Sequence, residues 1–252
     1  MAFSNGYVFG FATVICVVCS VALSGVSLSL RDRQELNRER DLHKNILFAL
    51  GLPEDGGQLD GPMIDELWEK RVQQRFFTPE NKKAGPELDQ DGDGDLDQLD
   101  VDLARKGAEE GAKPAVLSVY VRIDGDDVGA IAVPLNGKGL WGPIGGYLAL
   151  DPTASTVMGA TFSAPKETPG LGAEITEPRF VEQWKGKKLK DGGGPAAIRV
   201  VKGEATNLCP DTLDQCVDGV SGATITSRGV DEMVATAVTY YDAYLKNPKG
   251  AF

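Results

Sequence analysis

The chain has 252 residues, 42% of them hydrophobic, and a formal net charge of -11. That length allows one membrane segment and one ordinary globular domain. The acidic balance, with no Lys/Arg-rich aromatic surface, argues against nucleic acid as a partner. A single histidine, His43, argues against a histidine-rich metal site, and no Cys-x-x-Cys pair in the soluble part suggests an iron–sulfur cluster. His43 itself lies in a charged helical stretch and reads as a solvated surface residue.

After a short N-terminal segment, residues 1–6, Tyr7 to Leu30 is a run of 24 residues without charge. At about 1.5 Å per residue it crosses the roughly 30 Å hydrocarbon core as a helix. A cleaved signal peptide is the alternative, and Ala22-Leu23-Ser24 has the small residues of a cleavage site. No Lys or Arg precedes the run, however, and it exceeds the roughly 7–15 apolar residues usual in a signal. A retained anchor is the expectation, with Cys16 and Cys19 as small apolar packing residues inside it. Arg31, Arg33, Arg38, Arg40 and Lys44 follow at once, and by the local charge rule this flank stays in the cytoplasm. Asp32, Glu35, Glu39 and Asp41 alternate with them as on an i,i+4-paired helix surface.

Residues 31–85 read as a helical connector. Leu42, Ile46, Leu47 and Leu50 form one apolar stripe, ended by Gly51-Leu52-Pro53. Met63, Ile64, Leu67, Trp68 and Val72 form a second, followed by Phe76 and Phe77. Residues 86–115 are an acidic loop region. Counting from Asp89, acids stand at positions 1, 3 and 5 (Asp89, Asp91, Asp93) with Gly94 at position 6. Asp95, Asp97 and Asp100 occupy positions 7, 9 and 12. This is the spacing of a 12-residue Ca²⁺ loop, with Asp95 offering its carbonyl. Against it, position 12 is Asp rather than the longer Glu, and Pro86 leaves no incoming helix. A solvated acidic linker is the other reading.

From residue 116 to 252 the pattern turns to a mixed domain. Val116–Ile123 and Val128–Val133 read as strands around an Asp124-Gly125-Asp126 turn. The glycine-rich Gly139–Tyr147 leads into a short strand, Leu148–Leu150, and Thr156–Phe162 reads as another. Lys166-Glu167-Thr168-Pro169-Gly170-Leu171-Gly172 is a Pro-Gly turn. Phe180–Trp184 is a short helix, Lys185-Gly186-Lys187-Lys188 a solvated basic turn, and Ile198–Lys202 a final strand. Cys209 and Cys216 are either free thiols or, outside the cytoplasm, a disulfide. Last comes Asp218-Gly219-Val220-Ser221-Gly222-Ala223-Thr224, followed by an amphipathic helix through Val230, Met233, Val234, Ala237, Val238, Tyr241 and Leu245. Small residues before a helix start make an anion site, with Thr226 or Ser227 as the candidate N-cap.

Asp218-x-x-Ser221-Gly222-Ala223-Thr224 resembles the acceptor motif of covalent flavoproteins, in which FMN is joined by a phosphoester to the last threonine. Three further segments occur in matching order: Gly139-Leu140-Trp141 with Gly146-Tyr147, Glu167-Thr168-Pro169-Gly170-Leu171-Gly172, and Trp184-Lys185-Gly186-Lys187. Together with the N-terminal anchor they resemble the C subunits of Na⁺-translocating NADH:quinone oxidoreductases. The resemblance covers the anchor and most of residues 116–245. Lys166 stands where family members often carry histidine or glycine.

The resemblance implies an α+β fold, a single transmembrane helix and then an FMN-binding domain with an antiparallel sheet and flanking helices. It implies FMN esterified to Thr224, with Ser221, Gly222 and Ala223 forming the phosphate loop. Leu140, Trp141, Glu167, Thr168, Leu171 and Gly172 become candidates to line the flavin. A flavin transferase would install the group from FAD. Electrons would then pass from an iron–sulfur centre in the membrane subunits to a second covalent FMN on the B subunit. The soluble domain would lie on the periplasmic side of the bacterial inner membrane, against the local charge rule. The related G subunit of the Rnf electron-transport complex is the nearest alternative, and a flavin-free, membrane-anchored calcium-binding protein is a third class. The acidic loop has no counterpart in the family pattern.

Overall fold

The protein is described by a computed structural model covering residues 5–54, 56–108, 112–189 and 196–248. Residues 1–4 of the expected N-terminal segment lie outside the described residues. The chain divides into two compact units, residues 1–42 and 43–252.

Helix α1, Asn5–Ala49, runs on for 45 residues, about 68 Å at 1.5 Å per residue. The helix contains an 18-residue window of mean hydropathy 2.3 that is wholly exposed, which makes it a candidate membrane span. Tyr7, Phe9, Phe11, Val21, Leu23 and Leu28 are all more than half exposed, as side chains meant for lipid would be. The last turns of the same helix, in the second unit, are built differently. Ile46, Leu47, Ala49 and Leu50 are fully buried there.

In the second unit, helix α2 (Gly61–Arg71) starts at Asp60, whose carboxylate accepts from Met63 N at 2.9 Å. Pro62 occupies its first turn, and Lys70 and Arg71 complement the dipole at its end. Leu47, Leu52, Leu59 and Ile64 form a small core between the end of α1 and α2. His43 departs from its sequence reading. Its ring stacks on Trp68 at 3.6 Å, half-buried rather than solvated.

Strand β1 (Val72–Phe77) follows α2 directly. The helical stripe read from the sequence includes Val72 and runs on toward Phe76 and Phe77. Pairing with a later strand overrides it, since β1 takes an antiparallel register with β2 (Val72↔Arg122 to Phe77↔Leu117). After the acidic loop come helix α3 (Gln98–Gly107) and strand β2 (Leu117–Asp124). Strands β3 (Asp127–Lys138), β4 (Pro143–Leu150) and β5 (Val157–Ser163) then complete a meander in the order β1-β2-β3-β4-β5, antiparallel throughout. The glycines of β4 serve close packing. A Cβ on Gly146 would stand 2.0 Å from the Thr161 carbonyl oxygen.

Helix α4 (Pro178–Val181) carries Phe180 into the core beside Phe162 and the fully buried Trp184. Strand β6 (Arg199–Val201), helix α5 (Ala205–Leu208) and strand β7 (Cys216–Asp218) follow, with β6 and β7 paired in parallel. Helix α6 (Thr224–Tyr240) lies on β3, and α7 (Asp242–Lys246) closes the fold. Val230, Met233, Val234, Ala237, Tyr241 and Leu245 are buried, so the helical periodicity identified the correct face. The fold is α+β: one long apolar helix, then an antiparallel sheet with flanking helices.

Candidate functional site

Three segments converge at the start of α6: the β3–β4 connection at 139–142, the turn 167–172 after β5, and the loop 219–223 after β7. Leu140, Trp141, Glu167, Thr168, Leu171 and Gly172 line one cleft with Gly222, Ala223, Thr224, Ile225 and Thr226, enclosing about 390 Å³. Nine of the ten residues named from the sequence as flavin contacts therefore stand around one space. Ser221 does not. It lines a neighbouring cleft of about 640 Å³ shared by Gly222 and Thr224, with Arg199, Lys202 and Arg228.

The helix begins earlier than its hydroxyls suggested. Ala223, not Thr226 or Ser227, is the N-cap residue, and it supplies no side-chain cap. The first helical bond runs from Ser227 N to Ala223 O at 2.9 Å. The N–H groups of Thr224, Ile225 and Thr226 thus have no intrahelical acceptor, as geometry requires of a first turn. Thr226 and Ser227 are buried and used elsewhere. Ser227 Oγ accepts from Val220 N at 2.9 Å and shapes the loop. Gly222 sits at φ +79, a left-handed conformation that favours glycine, and a Cβ there would stand 3.0 Å from Leu171 Cδ2. Asp218 anchors the loop's origin, accepting from Ala205 N at 2.7 Å while its own N–H donates to Gln183 Oε1. These constraints leave the Thr224 side chain exposed at the first helical position.

Glu167 is buried behind the cleft, 6% exposed. Its Oε1 accepts from Trp141 N at 2.8 Å and its Oε2 from the Thr226 hydroxyl at 2.6 Å. Burial by itself would raise this carboxyl. The Thr226 hydroxyl and the N–H groups of Trp141, Leu140 and Gly142 outweigh it and hold the pKa below its ordinary 4.5. Lys166 is exposed, with its stem against Gly142.

Leu140, Trp141, Leu171 and Ile225 are 49%, 64%, 44% and 57% exposed. So much apolar surface gathered on one cleft marks a binding site. The residues fit FMN: a free hydroxyl for the ester, unpaired N–H groups and a dipole end for a phosphodiester, and an apolar rim for a planar ring. Ile225 and Thr226 were not singled out as flavin contacts. They belong to the motif's continuation, and only the helix start shows that they face the cleft.

Two other features bear on function. Cys209 and Cys216 form a disulfide with a Cα–Cα distance of 6.5 Å, immediately before the acceptor loop. The basic turn is largely solvated, as read from the sequence, with Lys185, Gly186 and Lys188 exposed, and two of its lysines also reach the loop that the disulfide closes. Lys187 Nζ donates to Leu213 O at 2.6 Å, and Lys188 pairs with Asp214 at 3.3 Å. In the acidic region, the carboxylates of Asp89, Asp91 and Asp93 offer oxygens within 4.8 Å of one another. Asp89 accepts from Gly92 N and Gly94 N, and Asp93 from Asp95 N. Asp97 caps α3 through Leu99 N, and the buried Asp100 accepts from Gln90 N and Asp97 N.

The loop, the uncapped helix and the apolar cleft define a flavin-binding module. The FMN-binding domain family matches residues 139–239. Over 227 residues the chain is 34% identical to the C subunit of the Na(+)-translocating NADH-quinone reductase of Yersinia pestis, covering 86% of this chain and 82% of that one. Over 250 residues it is 31% identical to the corresponding protein of Pseudomonas aeruginosa, covering 94% and 93%. The crystal structure of the C subunit from Parabacteroides distasonis superposes with a TM-score of 0.69 at 29% identity, covering 86% of this chain and 98% of that one. The chain belongs to the family of C subunits of the Na(+)-translocating NADH-quinone reductases.

Proposed function

We propose that this chain is the membrane-anchored electron-transfer subunit of a Na⁺-translocating NADH:quinone reductase, with FMN esterified to Thr224. The observation that carries the reading is the exposed Thr224 hydroxyl at the first position of an uncapped 17-residue helix, on the edge of an apolar cleft. When bound, FMN supplies the electron chemistry, and the protein supplies attachment, orientation and electrostatics. Thr224 Oγ1 would form the ester bond to the FMN phosphorus of FAD in a flavin transferase. The pyrophosphate bond breaks, AMP leaves, and the hydroxyl proton passes to a base of the transferase. The helix start then faces one negative charge. Leu140, Trp141, Leu171 and Ile225 would cover the ring and exclude water from it.

The donor of electrons would be an iron–sulfur centre in the membrane subunits, and the acceptor a second covalent FMN on the B subunit. Residues 31–252 would lie on the periplasmic side of the inner membrane. The disulfide supports that side, because such bonds persist in oxidising compartments. The basic flank after residue 30 points the other way, but long domains are translocated largely regardless of flanking charge.

The test is intact mass after denaturation, with the chain expressed beside an active flavin transferase. One added FMN is expected, and Thr224→Val should lose it while keeping the wild-type circular dichroism. An unmodified mass, with a control substrate fully loaded, overturns the assignment.

A further inference from the structure

We infer that Glu167 is a positioning residue that joins the two walls of the flavin cleft and sets the reduction potential of the bound group with its charge. The inference rests on FMN occupying the cleft at Thr224. Glu167 was named from the sequence as a candidate to line the flavin, and it does line the cleft, where its carboxylate also joins two segments. One oxygen holds the main chain at Trp141 and the other holds the Thr226 side chain, at 2.8 and 2.6 Å. Trp141 belongs to the β3–β4 connection and Thr226 to the first turn of α6, two residues beyond the attachment threonine. That carboxylate therefore bridges the two segments across the cleft.

Two glycines show that the space is made for it. A Cβ on Gly139 would stand 2.6 Å from Oε1, and one on Gly172 would stand 2.4 Å from Oε2. Both would collide with the carboxylate itself. The group is also surrounded by donors, the N–H groups of Leu140 and Gly142 as well as those already named, which stabilise its charged form. A fixed negative charge in a buried position acts through a lower effective dielectric than water. It therefore opposes the arrival of electrons on a group in the same cleft, and the potential of that group falls.

Glu167→Gln keeps the shape and one acceptor and removes the charge. Three measurements on the full chain in detergent decide the matter. In the flavin-loaded protein, Glu167→Gln should raise the reduced-to-oxidised ratio at fixed potential by about tenfold, roughly 30 mV for a two-electron couple. Glu80→Gln removes an exposed carboxylate outside the cleft lining, so it should leave that ratio within about twofold of wild type. In the flavin-free wild-type chain, the Trp141 amide should be protected from hydrogen exchange. A Glu167→Gln protein that is loaded and folded but has the wild-type potential overturns the electrostatic role. An unprotected Trp141 amide in the wild type overturns the tether, and that reading needs no variant to fold. A wild-type chain that takes no flavin while its Trp141 amide is protected sinks the FMN assignment and leaves the tether standing.

Discussion

A Cβ placed on Gly229 would stand 2.2 Å from the carbonyl oxygen of Lys138, so helix α6 and strand β3 touch through their backbones. One residue before Lys138, a Cβ on Gly137 would stand 2.5 Å from Met233 Cβ. This pair of contacts fixes how far the start of α6, and Thr224 with it, stands from the Leu140–Trp141 wall. Gly229→Ala gains helix propensity, about 1 kcal/mol, but forces the helix off the strand. Overpacking costs roughly 1–3 kcal/mol and backbone offers no relief, so we expect net destabilisation. The melting temperature should fall by several degrees, at about 2–4 °C per kcal/mol for a domain of this size. Flavin incorporation should fall with it, and an unchanged melt would show that the contact is slack.

The disulfide closes a loop of eight residues beside the acceptor loop. The chain-entropy treatment gives about 2.5 kcal/mol for a loop that short. A Cys209→Ser, Cys216→Ser double variant is expected to lose about that much stability, measured by denaturant midpoint at unchanged m-value. The same bridge tests topology. Thiol-trapping in whole cells should find Cys209 and Cys216 oxidised, and C-terminal fusions should give active phosphatase and dark fluorescent protein. Reduced cysteines together with a fluorescent fusion would place the domain in the cytoplasm.

Acid should loosen the domain in a defined window. Glu167, Asp124 and Asp151 all have carboxyl pKa values below their ordinary 4.5, 3.8 and 3.8. In each case burial opposes the shift and hydrogen bonds overcome it. For Asp124 the donors are Arg71 and Arg122, and for Asp151 they are the Ser155 N–H, Thr153 hydroxyl and Thr156 N–H. Folded values below unfolded ones mean that the stabilisation is fully present above the ordinary carboxyl range. It is lost as pH falls through the folded values. The melting temperature should therefore be insensitive to these groups above about pH 5 and decline below about pH 4. Glu167→Gln should flatten part of that decline, and an identical acid limb in the variant would remove Glu167 from the account.

The acidic loop is expected to take Ca²⁺ through Asp89, Asp91 and Asp93, whose oxygens already converge. Asp97 and Asp100 are engaged in capping α3, and Asp100 is the short closing residue. Affinity should then be at the weak extracellular end, about 10⁻⁴–10⁻³ M. Calorimetric titration of the chain beside an Asp91→Ala, Asp93→Ala variant measures it. Equal heats from the two proteins at several millimolar Ca²⁺ would leave the loop a solvated acidic segment.

Sequence alone determined the parts that depend on neighbours along the chain. The uncharged run from Tyr7 to Leu30 marks its helix by composition, and the 3.6-residue stripe from Val230 to Leu245 marks the buried face of α6. The Asp124-Gly125-Asp126 turn likewise placed the β2–β3 hairpin. Glycines and the acceptor motif pointed to the candidate cleft because a left-handed Gly222 and a hydroxyl at a helix start are local requirements. Tertiary structure decided whatever depends on a partner distant in sequence. Val72–Phe77 and Cys216–Asp218 are strands only because β2 and β6 supply their hydrogen bonds, which no local pattern records. Thr226 has the chemistry of a cap, but the fold brings Glu167, 59 positions away, within 2.6 Å of its hydroxyl and frees the first turn of α6. Hydrogen bonds of that kind hold for geometric reasons, and the geometry exists only once the sheet has brought its connections together at one end of the helix.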